Sequence, residues 1–534
     1  MHIHHIQDQD IFSPLPTPED MTAWDAAAVR DFRIPEFTLM ENAGREAFHV
    51  IQTIAGQRRS VLTFTGGGNN GGDGAAVSRL LHDAGHKVLV CHTRPPDTMR
   101  GAAGEHARLA RQCGVAFTPV LFEHGNLIVP EEWRDVATAP DIVIDALLGT
   151  GFRGHLQERE LQLVRHMNML RRRSSLIALD IPSGLDARTG IPQPEAVHAL
   201  HTITFEAAKT GIILPHAAPF VGKLHERPIG IPAMARLLHP AQFLRILPQP
   251  GVLRHISPGM HKGNAGHVLV IGGSETFTGA PLLAALGALR CGAGLVTLAY
   301  PGGLASRIAG IWPEVMHLPL GGENNWQKNL TPVLLQCLCE QKFSVLVVGP
   351  GMGRGSDAAA IIELLLASPE RPPLILDADG LFPLSARGNA PSPLLSLLKN
   401  TDCITPHPGE AARILGIDTD QVQEDRFKAL GNMTEQCAAV VVLKGAGALV
   451  GQRGAPTAVA PFAAPALAVG GSGDILAGAC AALRASGYLP LHAACLGVYV
   501  HGRAGEMLTA RYPARGNLAR EIADVMPDAM AELG

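Results

Sequence analysis

Two glycine-rich stretches of this chain carry aspartates where chemistry could use them. The more informative is Gly470-Gly471-Ser472-Gly473-Asp474, between an apolar run read as extended and a helical pattern, Ile475-Leu476-Ala477-Gly478-Ala479. Small residues let the backbone turn sharply and come close to a ligand. The free N–H groups of the helix start suit an anionic group. A carboxylate gains nothing electrostatically beside a phosphate, so Asp474 has a chemical reason to be there: taking a proton from an acceptor hydroxyl during phosphoryl transfer. The plainer alternative is an aspartate capping its own helix. The second stretch is Gly66-Gly67-Gly68-Asn69-Asn70-Gly71-Gly72-Asp73-Gly74, after the β-branched run 60–65. It is neither a GxGxxG fingerprint nor a Walker loop. Its two asparagines and Asp73 offer the donors, acceptors and charge that a dinucleotide's pyrophosphate and ribose could use; an asparagine-stabilised turn is the alternative. Two further strand-like runs end in acids followed by small residues: Asp145-Ala146-Leu147-Leu148-Gly149-Thr150-Gly151 and Asp180-Ile181-Pro182-Ser183-Gly184. In open α/β sheets ligands lie beyond the carboxyl ends of the strands, so Asn70, Asp145, Asp180 and Ser183 are expected to converge on one crevice. Oxygen donors of this kind suit a hard cation.

The elements that must position these residues alternate. Residues 18–56 read as helix, with Met40, Ala43, Ala47 and Ile51 at helical spacing. Strands are expected at 60–65, 87–91, 141–145 and 176–180, with helical patterns between them, which predicts a parallel sheet covered by helices. A proline-bearing stretch of weak periodicity, 231–255, places a domain boundary near 235. A second α/β pattern follows, with strands at 268–271, 345–349, 374–376, 403–405 and 440–443, each running into a Gly-rich or charged loop. The expected architecture is therefore α/β in two domains, 1–235 and 236–534.

Composition narrows the function. The chain has 534 residues, 46% hydrophobic, with 59 glycines and a formal net charge of −4, and no basic cluster of the kind nucleic acid requires. The one basic run, Arg171-Arg172-Arg173, follows a helical pattern whose C-terminal dipole favours cations. Nine cysteines lie scattered without a CxxC pair, pointing to reduced, mostly buried thiols in a cytosol. The start, Met1-His2-Ile3-His4-His5, has neither the basic region nor the apolar core of a signal peptide and is read as a disordered tail. The apolar stretch 279–299 contains Arg290 and several glycines, so a buried helix plus strand is expected there and no membrane association.

In this order, His261-Lys262-Gly263-Asn264-Ala265-Gly266-His267, Gly349-Pro350-Gly351-Met352-Gly353, Thr405-Pro406-His407-Pro408-Gly409-Glu410, Lys444-Gly445-Ala446-Gly447 and the loop ending in Asp474 resemble the NAD(P)H-hydrate dehydratase family. Upstream, Asn69-Asn70-Gly71-Gly72-Asp73-Gly74 with Asp180-Ile181-Pro182-Ser183-Gly184 resembles the NAD(P)H-hydrate epimerase family. The resemblance implies a Rossmann-like N-terminal domain that interconverts the C6 epimers of hydrated NADH or NADPH. It implies a ribokinase-like C-terminal domain that dehydrates the S epimer with ADP and Mg2+, giving AMP and phosphate. It further implies that Asp474 is the base in dehydration. Lys444, Gly445, Ala446, Gly447, Ala448 and Gly473 would contact the nucleotide, and Ala280, Gly351, His407 and Asp474 the hydrate. In the epimerase half it implies substrate contacts at Asn69, Asn70, Gly71, Gly72, Asp73, Gly149, Thr150, Gly151, Phe152, Arg153, Gly154, His155 and Asp180. A potassium ion would sit at Asn70, Asp145 and Ser183, and Asp180 would be the readiest proton-transfer residue. A cytoplasmic homo-oligomer acting on small molecules is expected. Two departures stand out: Gly380-Leu381-Phe382, where the family often has Asn-Ala-Leu-type residues, and an apolar 464–469 before the last loop.

Two other readings compete. Ribokinase-like folds also phosphorylate sugars and vitamin precursors with ATP, and fold alone does not separate these activities. The N-terminal half could also be a binding module without catalysis; the intact asparagine–aspartate loop and the missing basic patch count against that.

Overall fold

The computed structural model describes residues 7–57, 59–124, 126–128, 140–253, 261–388, 390–513 and 515–534. The histidine-bearing tail 1–5 lies outside them. The chain forms two compact units, one of residues Pro14–Phe243 and one that joins Met1–Ser13 to Leu244–Gly534. The division thus falls eight residues beyond the expected 235, and the first 13 residues go with the C-terminal unit. There Leu247 N bonds to Ile11 O (2.8 Å), and His492 Nε2 lies 2.8 Å from the Asp8 carboxylate.

The Pro14–Phe243 unit is built on a seven-stranded sheet in the order Lys223–Arg227, His201–Phe205, Ser175–Leu179, Ile142–Ala146, Ser60–Thr65, Lys87–His92, Ala116–Pro119. Every pairing in it is parallel. Sequence reading missed its outer strands: Ala116–Pro119 and Lys223–Arg227 are short and half-exposed, and His201–Phe205 alternates polar with apolar residues. The expected single helix over 18–56 is two, Pro18–Arg30 and Glu36–Ala55. Pro35 lacks a backbone donor and disfavours helix at Ile34, so the chain breaks there and restarts. Met40, Ala43, Ala47 and Ile51 are buried, as their spacing predicts. The expected loop over 66–74 is shorter, because the helix begins at Asn69 and runs to Asp83.

The C-terminal unit is built on an eleven-stranded sheet. Its order is Phe12–Leu15, Phe243–Ile246, Thr457–Val459, Leu449–Gly451, Val440–Leu443, Cys403–Ile404, Leu374–Leu376, Val345–Val348, His267–Ile271, Leu295–Pro301, Met316–Leu320. The seven strands from Val440–Leu443 to Met316–Leu320 are parallel, and Leu449–Gly451 and Thr457–Val459 add antiparallel. The stretch 279–299 is a helix, Gly279–Arg290, and the start of a strand. Among the described residues no helix is long and apolar enough to cross a membrane. The helix Gly279–Arg290 meets Ser472–Ala485 at a distance only glycine permits: a Cβ on Gly478 would stand 2.0 Å from Ala284 O, and one on Gly287 2.4 Å from Ile475 O. That contact fixes the helix bearing Asp474. The run before it is not extended as expected but a 3-10 turn, Pro465–Leu467, since Pro461 and Pro465 offer no ladder donors.

Candidate active sites

Each sheet has one point where the connections reverse direction. In the N-terminal unit it lies between Ser60–Thr65 and Ile142–Ala146, and a cleft of about 770 Å³ opens there. Asn69, Asn70, Asp73, Gly149, Thr150, Gly151, Phe152 and Asp180 line it. The other expected contacts do not. Gly71 and Gly72 are buried behind the wall, packed on Gly66 and on Ala103 with Met40. Arg153 folds back onto Thr150 O (2.8 Å) and pairs with Glu19 (3.3 Å); Gly154 and His155 are exposed outside the lining. On the helix Glu36–Ala55, Glu41 holds Arg79 (2.8 Å) and Asn42 holds Ile229 O, which gives both a structural role.

Three expected cation ligands gather around the Leu148 backbone. Asn70 Nδ2 donates to Leu148 O (2.8 Å), and Leu148 N donates to Ser183 Oγ (2.9 Å). Ser183 Oγ in turn donates to Asp145 Oδ1 (2.6 Å), and Ser183 N to Asp145 Oδ2 (2.7 Å). Burial pushes the Asp145 carboxyl up to about 6 against these hydrogen bonds. Asn70 Oδ1 is buried with no partner. A lone acceptor beside a carboxylate without a cation is a donor set that a hard cation fits. Among the described residues no three His, Cys, Asp or Glu side chains group as a metal site, so any cation here depends on amide and hydroxyl oxygens.

Asp180 stands at the end of Ser175–Leu179 with a left-handed φ of 64°, unusual for a side-chain-bearing residue and typical of functional positions. Its Oδ1 receives Lys209 Nζ (2.6 Å); its Oδ2 receives both Thr150 N (2.7 Å) and Thr150 Oγ1 (2.6 Å). Burial alone would raise its carboxyl, but Lys209 and Thr150 outweigh burial and hold it below the usual range. Lys209 is 1% exposed and also bonds to Thr204 Oγ1 and Phe205 O. Gly149 must be glycine: a Cβ there would stand 2.8 Å from Asp180 Oδ2. Lys209 and Asp25, which also line the cleft, escape sequence reading. Lys209 is a lone lysine in an apolar stretch, and Asp25 looks like one polar position of a helix.

The C-terminal sheet reverses between His267–Ile271 and Val345–Val348. Its carboxyl edge brings Asp474 together with Lys444, Asp377 and Glu410. Lys444 Nζ lies 2.6 Å from Asp377 Oδ1 and 3.7 Å from Glu410 Oε2. Thr405 Oγ1 donates to Asp377 Oδ1 (2.8 Å). Gly473 abuts this group: a Cβ there would lie 3.2 Å from Lys444 Nζ. Burial, then the Asp377 carboxylate, push Asp474 up to about 8, while Lys444 pulls the other way. Burial would lower Lys444, but Asp377 and Glu410 raise it. His407 accepts Gly409 N at Nδ1 (3.0 Å), which leaves the proton on Nε2, and burial followed by Lys444 lowers its pKa. Gly351 packs against Phe277 and Ala280, so two expected substrate contacts are neighbours. Arg426 holds the carbonyls of Leu443, Lys444 and Ala446 and so shapes the loop of Lys444, Gly445, Ala446, Gly447 and Ala448. Behind Gly471, a buried His501 Nε2 lies 3.0 Å from both Ser472 Oγ and Ser472 O, and burial lowers this histidine to about 4. Asp377 and Glu410 were visible in the sequence only as charged strand ends without a role.

Comparison with known proteins agrees with this division. The NAD(P)H-hydrate dehydratase family model matches residues 268–528, and that of the YjeF-related protein N-terminus matches 36–211. The chain is 34% identical over 529 residues to the bifunctional NAD(P)H-hydrate repair enzyme Nnr of Moorella thermoacetica, covering 97% of each chain. It is 32% identical over 490 residues to that of Escherichia coli K12, covering 91% of this chain and 88% of that one. Among solved structures, the ADP/ATP-dependent NAD(P)H-hydrate dehydratase of Bacillus subtilis, co-crystallised with ATP/Mg2+, superposes with a TM-score of 0.45 at 26% identity, covering 53% of this chain and 95% of that one.

Proposed function

The chain belongs to the bifunctional NAD(P)H-hydrate repair enzymes, and from that premise we propose how its two sites divide the repair of hydrated NADH and NADPH. The N-terminal cleft equilibrates the R and S hydrates at C6. The C-terminal site dehydrates the S hydrate at the expense of ADP, releasing NAD(P)H, AMP and phosphate. The observation that carries this reading is the pairing, in one chain, of a dinucleotide-sized cleft with a phosphoryl-transfer site centred on Asp474.

Dehydration needs a better leaving group than hydroxide. Asp474 takes the proton of the C6 hydroxyl, and its carboxyl, held near 8 by burial, is matched to that task near neutral pH. The hydroxyl oxygen attacks the terminal phosphoryl group of the nucleotide. Ser472 N is taken by Val469 O, so the N–H groups of Gly471 and Gly473, at the start of the helix Ser472–Ala485, would meet the charge that develops on it. The lone pair of the ring nitrogen then expels phosphate. Lys444, Gly445, Ala446, Gly447 and Ala448 hold the nucleotide, with Lys444 as its cationic partner once it leaves Asp377. Ala280, Gly351 and His407 hold the hydrate. Mg2+, entering with the nucleotide, would neutralise phosphate charge, and the buried carboxylates of Asp377 and Glu410 suit it.

In the N-terminal cleft Asn69, Asn70, Asp73, Gly149, Thr150, Gly151, Phe152 and Asp180 contact the dinucleotide. Gly71 and Gly72 support that wall, and Arg153, Gly154 and His155 flank its mouth. Asn70, Asp145 and Ser183 would hold potassium, which supplies positive charge to the buried Asp145 and to the phosphates nearby. Asp180, fixed as an anion by Lys209, would face the nicotinamide ring, where a proton must move during epimerisation. Nine free cysteines, six of them buried, and an intracellular substrate support a cytoplasmic setting; a homo-oligomer is the expected state.

Chiral chromatography tests the division. With Asp474→Asn, a pure R hydrate given ADP reaches an R/S equilibrium without forming NADH. A mixture that stays pure R, with the unaltered protein as well, sinks the epimerase assignment.

A further inference from the structure

Asp180 is poorly equipped to move a proton. All three of its hydrogen bonds come from fixed donors, and Lys209 keeps it ionised. Asp25, on the helix Pro18–Arg30, lines the same cleft. Its carboxyl opens into the cleft and, among the described residues, makes no hydrogen bond or ion pair. Two aspartates with opposed surroundings in one cleft divide the work of fixed charge and proton carrier.

On the reading of the N-terminal cleft given above, we propose that Asp25 is the proton carrier of the epimerase. The Asp25 carboxylate takes the proton of the C6 hydroxyl. The oxygen's pair closes to a carbonyl, and the C6–N1 bond breaks with its electrons going to the ring nitrogen. Asp25 returns the same proton to that nitrogen. Rotation about the C5–C6 bond presents the other carbonyl face, and the steps run backwards to the second epimer. One proton is borrowed and returned, and no further reactant is consumed. Asp180, held as an anion, orients the ring.

The surroundings of Asp25 support this role. Asp25 is itself exposed to the cleft; desolvation by the surrounding helix and strand ends pushes its carboxyl up to about 6, Asp180, Glu206 and Glu36 push the same way, and Lys209 opposes them. Asp73, on the helix Asn69–Asp83, faces the same group and is itself raised, first by burial and then by Asp180 and Asp25. A base with this value is mostly ionised at neutral pH yet basic enough to accept a proton.

The test uses the full chain without nucleotide, so that dehydration is silent, and follows a pure R hydrate of NADH by chiral chromatography between pH 5 and 8. The unaltered protein should gain kcat/KM as pH rises through about 6. Asp25→Asn should lose roughly 10²–10⁴-fold in kcat with KM little changed, lose that pH limb, and keep its melting temperature. Asp25→Glu should recover part of the rate and the limb. An Asp25→Asn protein with the unaltered rate and pH profile overturns the role of Asp25 alone. An unaltered protein that does not interconvert the epimers overturns this role together with the epimerase reading.

Discussion

Asp474 and Asp180 are both aspartates beside glycine-rich turns, and their neighbours drive them to opposite behaviour. Asp474 shares its space with Asp377 and rises to about 8; Asp180 grips Lys209 and stays ionised. The folded Asp474 keeps a proton that the unfolded chain, near the ordinary value of 3.8, releases. Stability contributed by that proton is therefore present at low pH and lost as pH rises towards 8. Asp474→Asn should abolish NADH formation and also raise the melting temperature at pH 8, with no gain at pH 4; a scan at both values reads it. Lys209→Met strands the Asp180 carboxylate without its cation and should cost the N-terminal unit about 3–5 kcal/mol in urea unfolding, with Lys209→Met plus Asp180→Asn milder than the single change. Asp474 was legible in the sequence because it closes a glycine-rich turn before a helical pattern, and Asp180 because it ends a strand-like run before small residues. Lys209 and Asp25 were not. Only the folded chain brings Lys209 to Asp180 from 29 residues away.

At the scale of elements, each site is a glycine-rich turn feeding a helix at the reversal point of a parallel sheet. The central strands could be read from their β-branched runs, several to within a residue. The outer strands could not, because they are short and half-exposed, with no apolar run to mark them. The helix break at Pro35 and the non-strand before Gly470 both follow from prolines, which override the surrounding periodicity. Glycines in the first turn of Asn69–Asp83 looked like loop but serve close packing against Gly66 and Ala103. Two element-scale outcomes follow. Gly149→Ala drives a Cβ towards Asp180 Oδ2 and should cut epimerisation at least roughly tenfold while leaving dehydration of the S hydrate intact, as separate rate assays would register. Asn70→Ala removes the unpartnered acceptor beside Asp145, so any stimulation of epimerisation by K+ over Li+ should disappear in a salt titration.

For the whole molecule, two sites on two sheets make one repair sequence, since dehydration consumes a single epimer and epimerisation supplies it. The two-domain α/β plan was legible from alternating patterns, and a boundary near 235 was placed by prolines. That the first 13 residues join the C-terminal unit was not, because a four-residue helix and a short edge strand carry no periodic signal. The most direct measurement is the recovery of NADH absorbance from a mixture of both hydrate epimers, with the full chain and ADP and with Asp474→Asn alongside. Complete recovery by the unaltered protein and none by the variant is the predicted result. Recovery that halts at the S fraction, or that persists in Asp474→Asn, would contradict the account.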